Sequence, residues 1–276
     1  EGGGQVLRTS LSLSCLLNKP FRIFNIRKKR KKPGLMPQHL MGIRALQLIA
    51  NARVQGDSMG SAELSFEPTE VKPGNYFFDI GTAGSTSLLL QAMLPPLISV
   101  KGKSYLSLKG GTHVPLSPPF HYISGVFLPM LDKLGIRVKA EIESYGFYPK
   151  GGGKVNVEIL SSNKKNIMGI NLLERERMKK LNGLSGVGNL PISIAERQRD
   201  AALKILAAHG LDAEIETLSV PTPGQGTFIF LKAEMGNCIA GFSSLGERGK
   251  KAELVGEEAA KGLLDYYEKD SCLDHH

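Results

Sequence analysis

The same order of elements runs twice between Gln5 and Ile159, and that repeat limits the possible folds more than any single motif does. Gln5–Leu17 places Val6, Leu7, Leu11, Leu13, Leu16 and Leu17 at helical spacing, and Phe21–Ile26 then alternates like a strand. A basic loop closes at Pro33-Gly34. A second helix is expected from Pro37 to Ala50, followed by short strands at Ser61–Glu67 and Tyr76–Ile80. The order then restarts. A small-residue loop, Gly81-Thr82-Ala83-Gly84-Ser85, leads to helix Thr86–Leu94, closed by Pro95-Pro96. Strand Ser104–Leu108, helix Phe120–Leu134 with Gly135 as its stop, strand Ile136–Ile142 and strand Lys154–Ile159 follow. Two units of about 75–80 residues with one element order predict a repeated α/β (α+β) fold.

Beyond Ile159 the character changes. Leu181–Val187 reads as a strand, Ser193-Ile194-Ala195-Glu196 has the form of a capping box opening a helix that ends at Gly210, and Asp212–Leu218 and Thr227–Lys232 read as strands. These elements predict a small α/β insert over 180–235. A third repeat is expected to open near Asn237, with strand Cys238–Phe242 and helix Ala252–Tyr267, and to be truncated at His276. The expected division is therefore 1–179 with 236–276 as the repeat domain, and 180–235 as the insert. The chain opens Glu1-Gly2-Gly3-Gly4 without an initiator Met, so it is expected to begin inside a longer gene product.

Charge narrows the partners. Thirty-five Lys and Arg against 26 Asp and Glu give a net charge of +9, which favours nucleic acid and, after it, acidic metabolites. No apolar run approaches the roughly 20 residues of a membrane span. The opening residues do not form a signal peptide, and Cys15, Cys238 and Cys272 are too scattered for a disulfide framework or a Cys-x-x-Cys metal site, so a reducing cytoplasm is expected. Three glycines before a helix start leave free N–H groups at the positive end of the helix dipole, where phosphate binds readily. Glu1 beside them is a candidate ligand for a divalent cation. The spacing fits neither a Walker loop nor a dinucleotide fingerprint. Six consecutive basic residues, Arg27 to Lys32, suit either RNA phosphates or a solvated loop. Gln38 and His39 open the following helix. The turns Gly81–Ser85 and Tyr148–Gly153 either approach a ligand closely or simply pack elements together. Gln91 stands alone among the apolar residues Leu88–Leu94, as a partly buried amide in need of a partner, and Pro118-Pro119 makes a rigid corner fit to press on a flat ring. No Ser-His-Asp order, paired-carboxylate motif or His-x-x-x-His zinc spacing stands out.

Taken together, Glu1–Gln5, Arg27–Gly34 with Gln38-His39, Gly81–Ser85 with Gln91, Gly110-Gly111-Thr112, Gly146–Gly153 and Ser244-Leu245-Gly246 resemble, in order, the blocks of the RNA 3'-terminal phosphate cyclases. The resemblance covers essentially the whole chain. It implies three similar α/β units, as in the enolpyruvyl transferases, with a small α/β insert. It also implies an activity: ATP-dependent conversion of an RNA 3'-phosphate to a 2',3'-cyclic phosphate through a histidinyl–AMP and an RNA–ppA end, with Mg or Mn assisting. By resemblance, Gln5, Gln91, Pro118 and His276 contact ATP, with Pro118 and His276 at the adenine. Arg8, Arg27, Arg30, Gln38 and His39 line the phosphate and RNA side, and Glu1 faces the metal. The family's nucleophilic histidine follows a Leu-Ala-Asp-Gln block whose start Asp274-His275-His276 resembles, and none of the six histidines here takes its place by motif. The catalytic residue thus stays unassigned. A cyclase-like RNA-binding or assembly protein without chemistry is the alternative, and the oligomeric state is open.

Overall fold

The computed structural model describes residues 3–160, 168–269 and 271–275. Its first unit is α1 (Gly4–Leu17), β1 (Phe21–Ile23), α2 (Pro37–Ile49), β2 (Arg53–Gln55) and β3 (Leu64–Glu67), with the strands antiparallel in the order β1-β3-β2. A strand β4 (Asn75–Asp79) precedes the second unit: α3 (Thr86–Ile98), β5 (Ser104–Gly110), α4 (Phe120–Tyr122), α5 (Leu128–Lys133), β6 (Val138–Ser144) and β7 (Gly153–Ile159). Its sheet has the order β4-β5-β7-β6. Each unit therefore arranges its own three strands first, third, second, and the repeat extends from element order to topology.

Several boundaries differ from the sequence-based expectation. Of Tyr76–Ile80, expected as the last strand of the first unit, Tyr76 to Asp79 lie in β4, which pairs in parallel with β5 of the second sheet. The strand that completes the first sheet is β2, a three-residue strand too short to show alternation. Helix α3 does not stop at Leu94 but runs through Pro95 and Pro96 to Ile98. The two prolines each remove a donor near the helix end, where Gln91 is exposed and can leave its carbonyl to water, and the Ser99 N–H and hydroxyl then close on Pro96 O. Between α4 and α5 the chain makes a π-helical turn, Ile123–Phe127, directly before Pro129, which accommodates a residue unable to donate within a regular helix.

The remaining elements are β8 (Lys180–Gly188), α6 (Ile192–Ala208), β9 (Glu214–Ser219), β10 (Gly226–Met235), β11 (Cys238–Leu245) and α7 (Ala252–Tyr267), with sheet order β11-β10-β8-β9. The division expected at 235/236 falls inside the β10–β11 hairpin, where Met235 is opposite Cys238. The strand and helix expected to open a third repeat therefore complete the module begun by β8. Helices α6 and α7 pack together, and a Cβ on Gly256 would lie 2.0 Å from Gln198 O, so only glycine allows that approach. The helix α6 also starts earlier than expected. Its N-cap is Pro191, without a side-chain cap, and Ser193 sits exposed in the first turn.

Strand β10 explains how this module attaches. Ile229, Leu231 and Ala233 point into a core with Ala202, Leu206, Val255 and Leu263, while Phe228 and Phe230 point the other way into the larger core of the two repeats. Both faces are apolar because both are covered. Against Phe228 lie His113, His121, Tyr145 and Phe147, with ring centroids 4.4, 5.1, 5.7 and 6.4 Å away. This aromatic and histidine layer joins the module to the second repeat.

Candidate phosphate-binding site

Helix α1 begins after Gly3, whose side of the helix start carries no side-chain cap. The first N–H groups are thus available to an anion. Three side chains converge there. A Cβ on Gly4 would come within 2.7 Å of His39 Nε2 and 3.4 Å of Arg8 Nη1, so glycine at this position lets both groups reach the helix start. Arg8 Nη2 donates to Gln5 Oε1 at 2.7 Å, its Nε is buried without a partner among the described residues, and burial lowers its pKa. An orphaned guanidinium N–H beside a free helix start fits a phosphate group.

His39 is the third residue of α2, and its Nδ1 accepts the Met36 N–H at 3.1 Å. A neutral ring with Nδ1 used as an acceptor carries its proton on Nε2, the atom facing Gly4. Desolvation, then Arg27 and Arg8, bring its pKa down to about 4, so it stays neutral near pH 7 and acts as a hydrogen-bond donor. Arg27 is half-buried, holds a left-handed φ of 53° and donates from Nη1 to Gly34 O at 2.9 Å. Such a conformation is costly for a residue with a Cβ and is held here by the loop around it. Gly34 is itself fixed: its φ is +79°, and a Cβ would fall 2.1 Å from Gly60 O. Lys28 to Lys32 are exposed, Arg30 among them. Gln38 packs its stem against Gly84 of the 81–85 loop, which in turn abuts Gly110 and Gly111.

The structure thus brings together Gln5, Arg8, Arg27, Gln38 and His39. Gln91 differs from expectation. It lies exposed on α3, on the stripe Leu88, Gln91, Pro95 and Ile98 that leaves the rest of that helix buried. Pro118 is half-buried two residues before α4. Glu1 and His276, expected at the metal and the adenine, lie outside the described residues. Among the described residues no three His, Cys, Asp or Glu side chains are grouped to hold a metal ion, and no helix is long and apolar enough to cross a membrane.

Sequence reasoning missed the layer around His113. His113 is buried and His121 half-buried; desolvation lowers the pKa of both, that of His121 to about 4, so both are neutral near pH 7. His121 Nε2 meets Tyr145 Oη at 3.1 Å. The available signal was positional: His121 follows Pro118-Pro119 at a helix start as His39 follows Pro37.

Repeated α/β units, with Arg8 and His39 gathered at an uncapped helix start, define a protein of the repeat-built α/β class. Within that class, the chain belongs to the RNA 3'-terminal phosphate cyclase family, whose model matches residues 1–276. It is 46% identical over 278 residues to the RNA 3'-terminal phosphate cyclase of Saccharolobus solfataricus, an alignment that covers 100% of this chain and 81% of that protein. The proteins of that name from Staphylothermus marinus and Ignicoccus hospitalis are each 44% identical, with 100% of this chain and 79% of each relative aligned.

Proposed function

We propose that the protein is a ligase-type RNA-processing enzyme that uses ATP to convert an RNA 3'-terminal phosphate into a 2',3'-cyclic phosphate. The observation that carries the reading is the cradle at Gly4, where free helix N–H groups, the Arg8 guanidinium and the His39 Nε2–H come together. In the proposed sequence a histidine attacks the α-phosphorus of ATP and pyrophosphate leaves. The RNA 3'-phosphate then attacks the histidine-bound AMP, giving RNA–ppA and freeing the histidine. The vicinal 2'-OH finally attacks the RNA phosphorus, AMP departs, and the ring closes. Arg8, the start of α1 and His39 would hold phosphate oxygens, Gln5 would orient Arg8, and Arg27, Arg30 and Gln38 would hold the RNA end. Gln91 and Pro118 are assigned to ATP, and Glu1 and His276 keep their places at the metal and the adenine. A Mg or Mn ion, when bound, would neutralise charge on the departing pyrophosphate. Three free cysteines suit a reducing cytoplasm.

His39 is a poor candidate for the nucleophile, because its Nε2 carries the proton and its Nδ1 serves the helix cap. His113 and His121 are locked in the aromatic layer. The test uses ATP labelled at the α-phosphate, with the 276-residue chain and a protein of the relatives' full length side by side, followed by denaturing electrophoresis. Covalent label on the longer protein and none on this chain is the expected result. Label on this chain would place the nucleophile among its own six histidines. If neither protein labels and a 3'-phosphorylated RNA stays sensitive to phosphatase after incubation with ATP, the cyclase reading fails, and RNA binding without chemistry remains.

A further inference from the structure

A second basic cleft of about 1070 Å³ lies between the second repeat and the 180–267 module. Its volume is at or beyond the upper end of small-molecule pockets, roughly 300–1,000 Å³. Both helices of the module start on it, α6 after Pro191 and α7 after Lys251, and neither has a side-chain cap. The first N–H groups of α6 are open to an anion, and at α7 the Glu253 carboxylate takes its own N–H and leaves the others. The lining also carries Lys150, Arg197, Arg248, Lys250 and Lys251 against a single acid, Glu247. Three of the cations are engaged: Arg197 with Glu253 at 2.8 Å, Lys250 with Glu258, and Lys150 with Pro223 O at 2.8 Å. Arg248 and Lys251 are exposed and form no salt bridge among the described residues, although Glu253 feels the charge of Lys251.

The second observation is His113, which lines the cleft at 1% exposure with its Nε2 lacking any partner among the described residues. Thr112 Oγ1 accepts the Gly146 N–H at 3.0 Å and lies 2.9 Å from His113 Nδ1; in the tautomer with its proton on Nε2, the ring accepts the Thr112 hydroxyl at Nδ1 and presents a donor to the cleft. A buried donor without an acceptor costs about 1–3 kcal/mol. An oxygen of a ligand in the cleft would remove that cost.

The cleft is connected to the cradle at Gly4. Gln38 packs on Gly84, and a Cβ on Gly151 would fall 2.6 Å from Thr82 O, so the 81–85 and 148–153 loops lie against one another between Gln38 and Lys150. Gly81, where a Cβ would meet nothing within 4 Å, leaves the backbone of that floor open to a passing chain. We propose that the cleft takes the phosphodiester backbone of single-stranded RNA, upstream of the 3' end held at Arg27, Arg30 and Gln38. The placement of that end rests on the functional reading above. In this arrangement Arg248, Lys251 and the two helix starts hold phosphates, and His113 Nε2 donates to a phosphate or ribose oxygen. The cleft reads length and charge and not sequence.

The test is fluorescence anisotropy with two labelled RNAs that share a 3'-phosphate end, one of three nucleotides and one of twelve. The wild-type chain should bind the longer RNA at least tenfold more tightly. The double variant Arg248→Glu, Lys251→Glu should lose that advantage and leave the three-nucleotide affinity within twofold. The salt slope for the longer RNA should fall by about 0.7 per lost contact. Lys150→Ala, a milder exposed change, should give a partial loss of the same kind. Equal affinity for both lengths in the wild type would overturn the proposal. So would equal losses for both RNAs in the variants, or no loss at all. Ring closure by the longer protein, followed in parallel, separates the two readings. Length-dependent binding without ring closure counts against the enzyme alone, and ring closure with length-independent binding counts against the cleft alone.

Discussion

Replacing His121 with phenylalanine should flatten the acid side of the stability profile. His121 lies between Phe228 and Tyr145, stacked on Phe228 at 5.1 Å, and desolvation brings its pKa from 6.5 down to about 4. In the unfolded chain the ring takes a proton as pH falls through 6.5, while in the folded protein it resists until about 4. The unfolded state thus binds more protons in that window, and its contribution to stability is complete above pH 6.5 and lost on the way down to 4. At about 1.4 kcal/mol per tenfold change in proton affinity, the loss is about 3 kcal/mol. Phenylalanine keeps the stack but removes the partner of the Tyr145 hydroxyl, which should lower stability at pH 7 by about 1–3 kcal/mol. The wild-type and variant curves should then converge as pH falls to 4. Urea titrations at pH 7, 5.5 and 4, with the slopes compared, measure this. Parallel curves would show that His121 is solvated in the folded protein, and that the module does not close over the second repeat as described.

Other outcomes follow from single contacts. Gly34→Ala should destabilise by well over about 1 kcal/mol in thermal unfolding, because alanine at φ +79° would also drive its Cβ into Gly60 O. Gln198→Leu should cost about 1–3 kcal/mol, since the fully buried amide accepts from Ser185 at 3.0 Å and donates to Thr227 at 2.6 Å, two bonds of about 0.5–1.5 kcal/mol each, while both hydroxyls keep their bonds to Ala195 O and Gly186 O. In the basic loop, Arg27→Ala should weaken RNA binding more than Lys28→Ala, as a guanidinium can fork onto two phosphate oxygens, and each lost contact should flatten the salt slope by about 0.7. Equal effects in a filter-binding titration would reduce the loop to nonspecific charge. Arg8→Met should raise the Kd for ATP at least tenfold by isothermal calorimetry while leaving the melting temperature near that of the wild type.

What the sequence determined by itself is local. The spacing of Leu7 and Leu11, of Leu40, Ile43 and Leu46, and of Val255, Ala259 and Leu263 marks helices that bury one face, and each is helical where its period says. The glycine runs marked close approaches, and the neighbours of Gly34, Gly84 and Gly151 show why no side chain fits there. The grouping of Arg8, Arg27 and His39 was legible only through the family resemblance, since the three residues are spread over α1, the basic loop and α2. Strand partnership was not. Nothing in Tyr76–Phe78 tells β4 to join the second sheet, and nothing in Cys238–Phe242 tells β11 to extend a sheet begun by β8, because hydrogen bonding between strands is set by what lies opposite and not by the strand's own residues. The two histidines after the helix-opening prolines make the same point. His39 and His121 each stand two residues after a helix-opening proline, yet one faces the start of α1 and the other stacks on Phe228. Only the packing of the module against the second repeat decided that difference, since burial depends on which surface arrives from far along the chain.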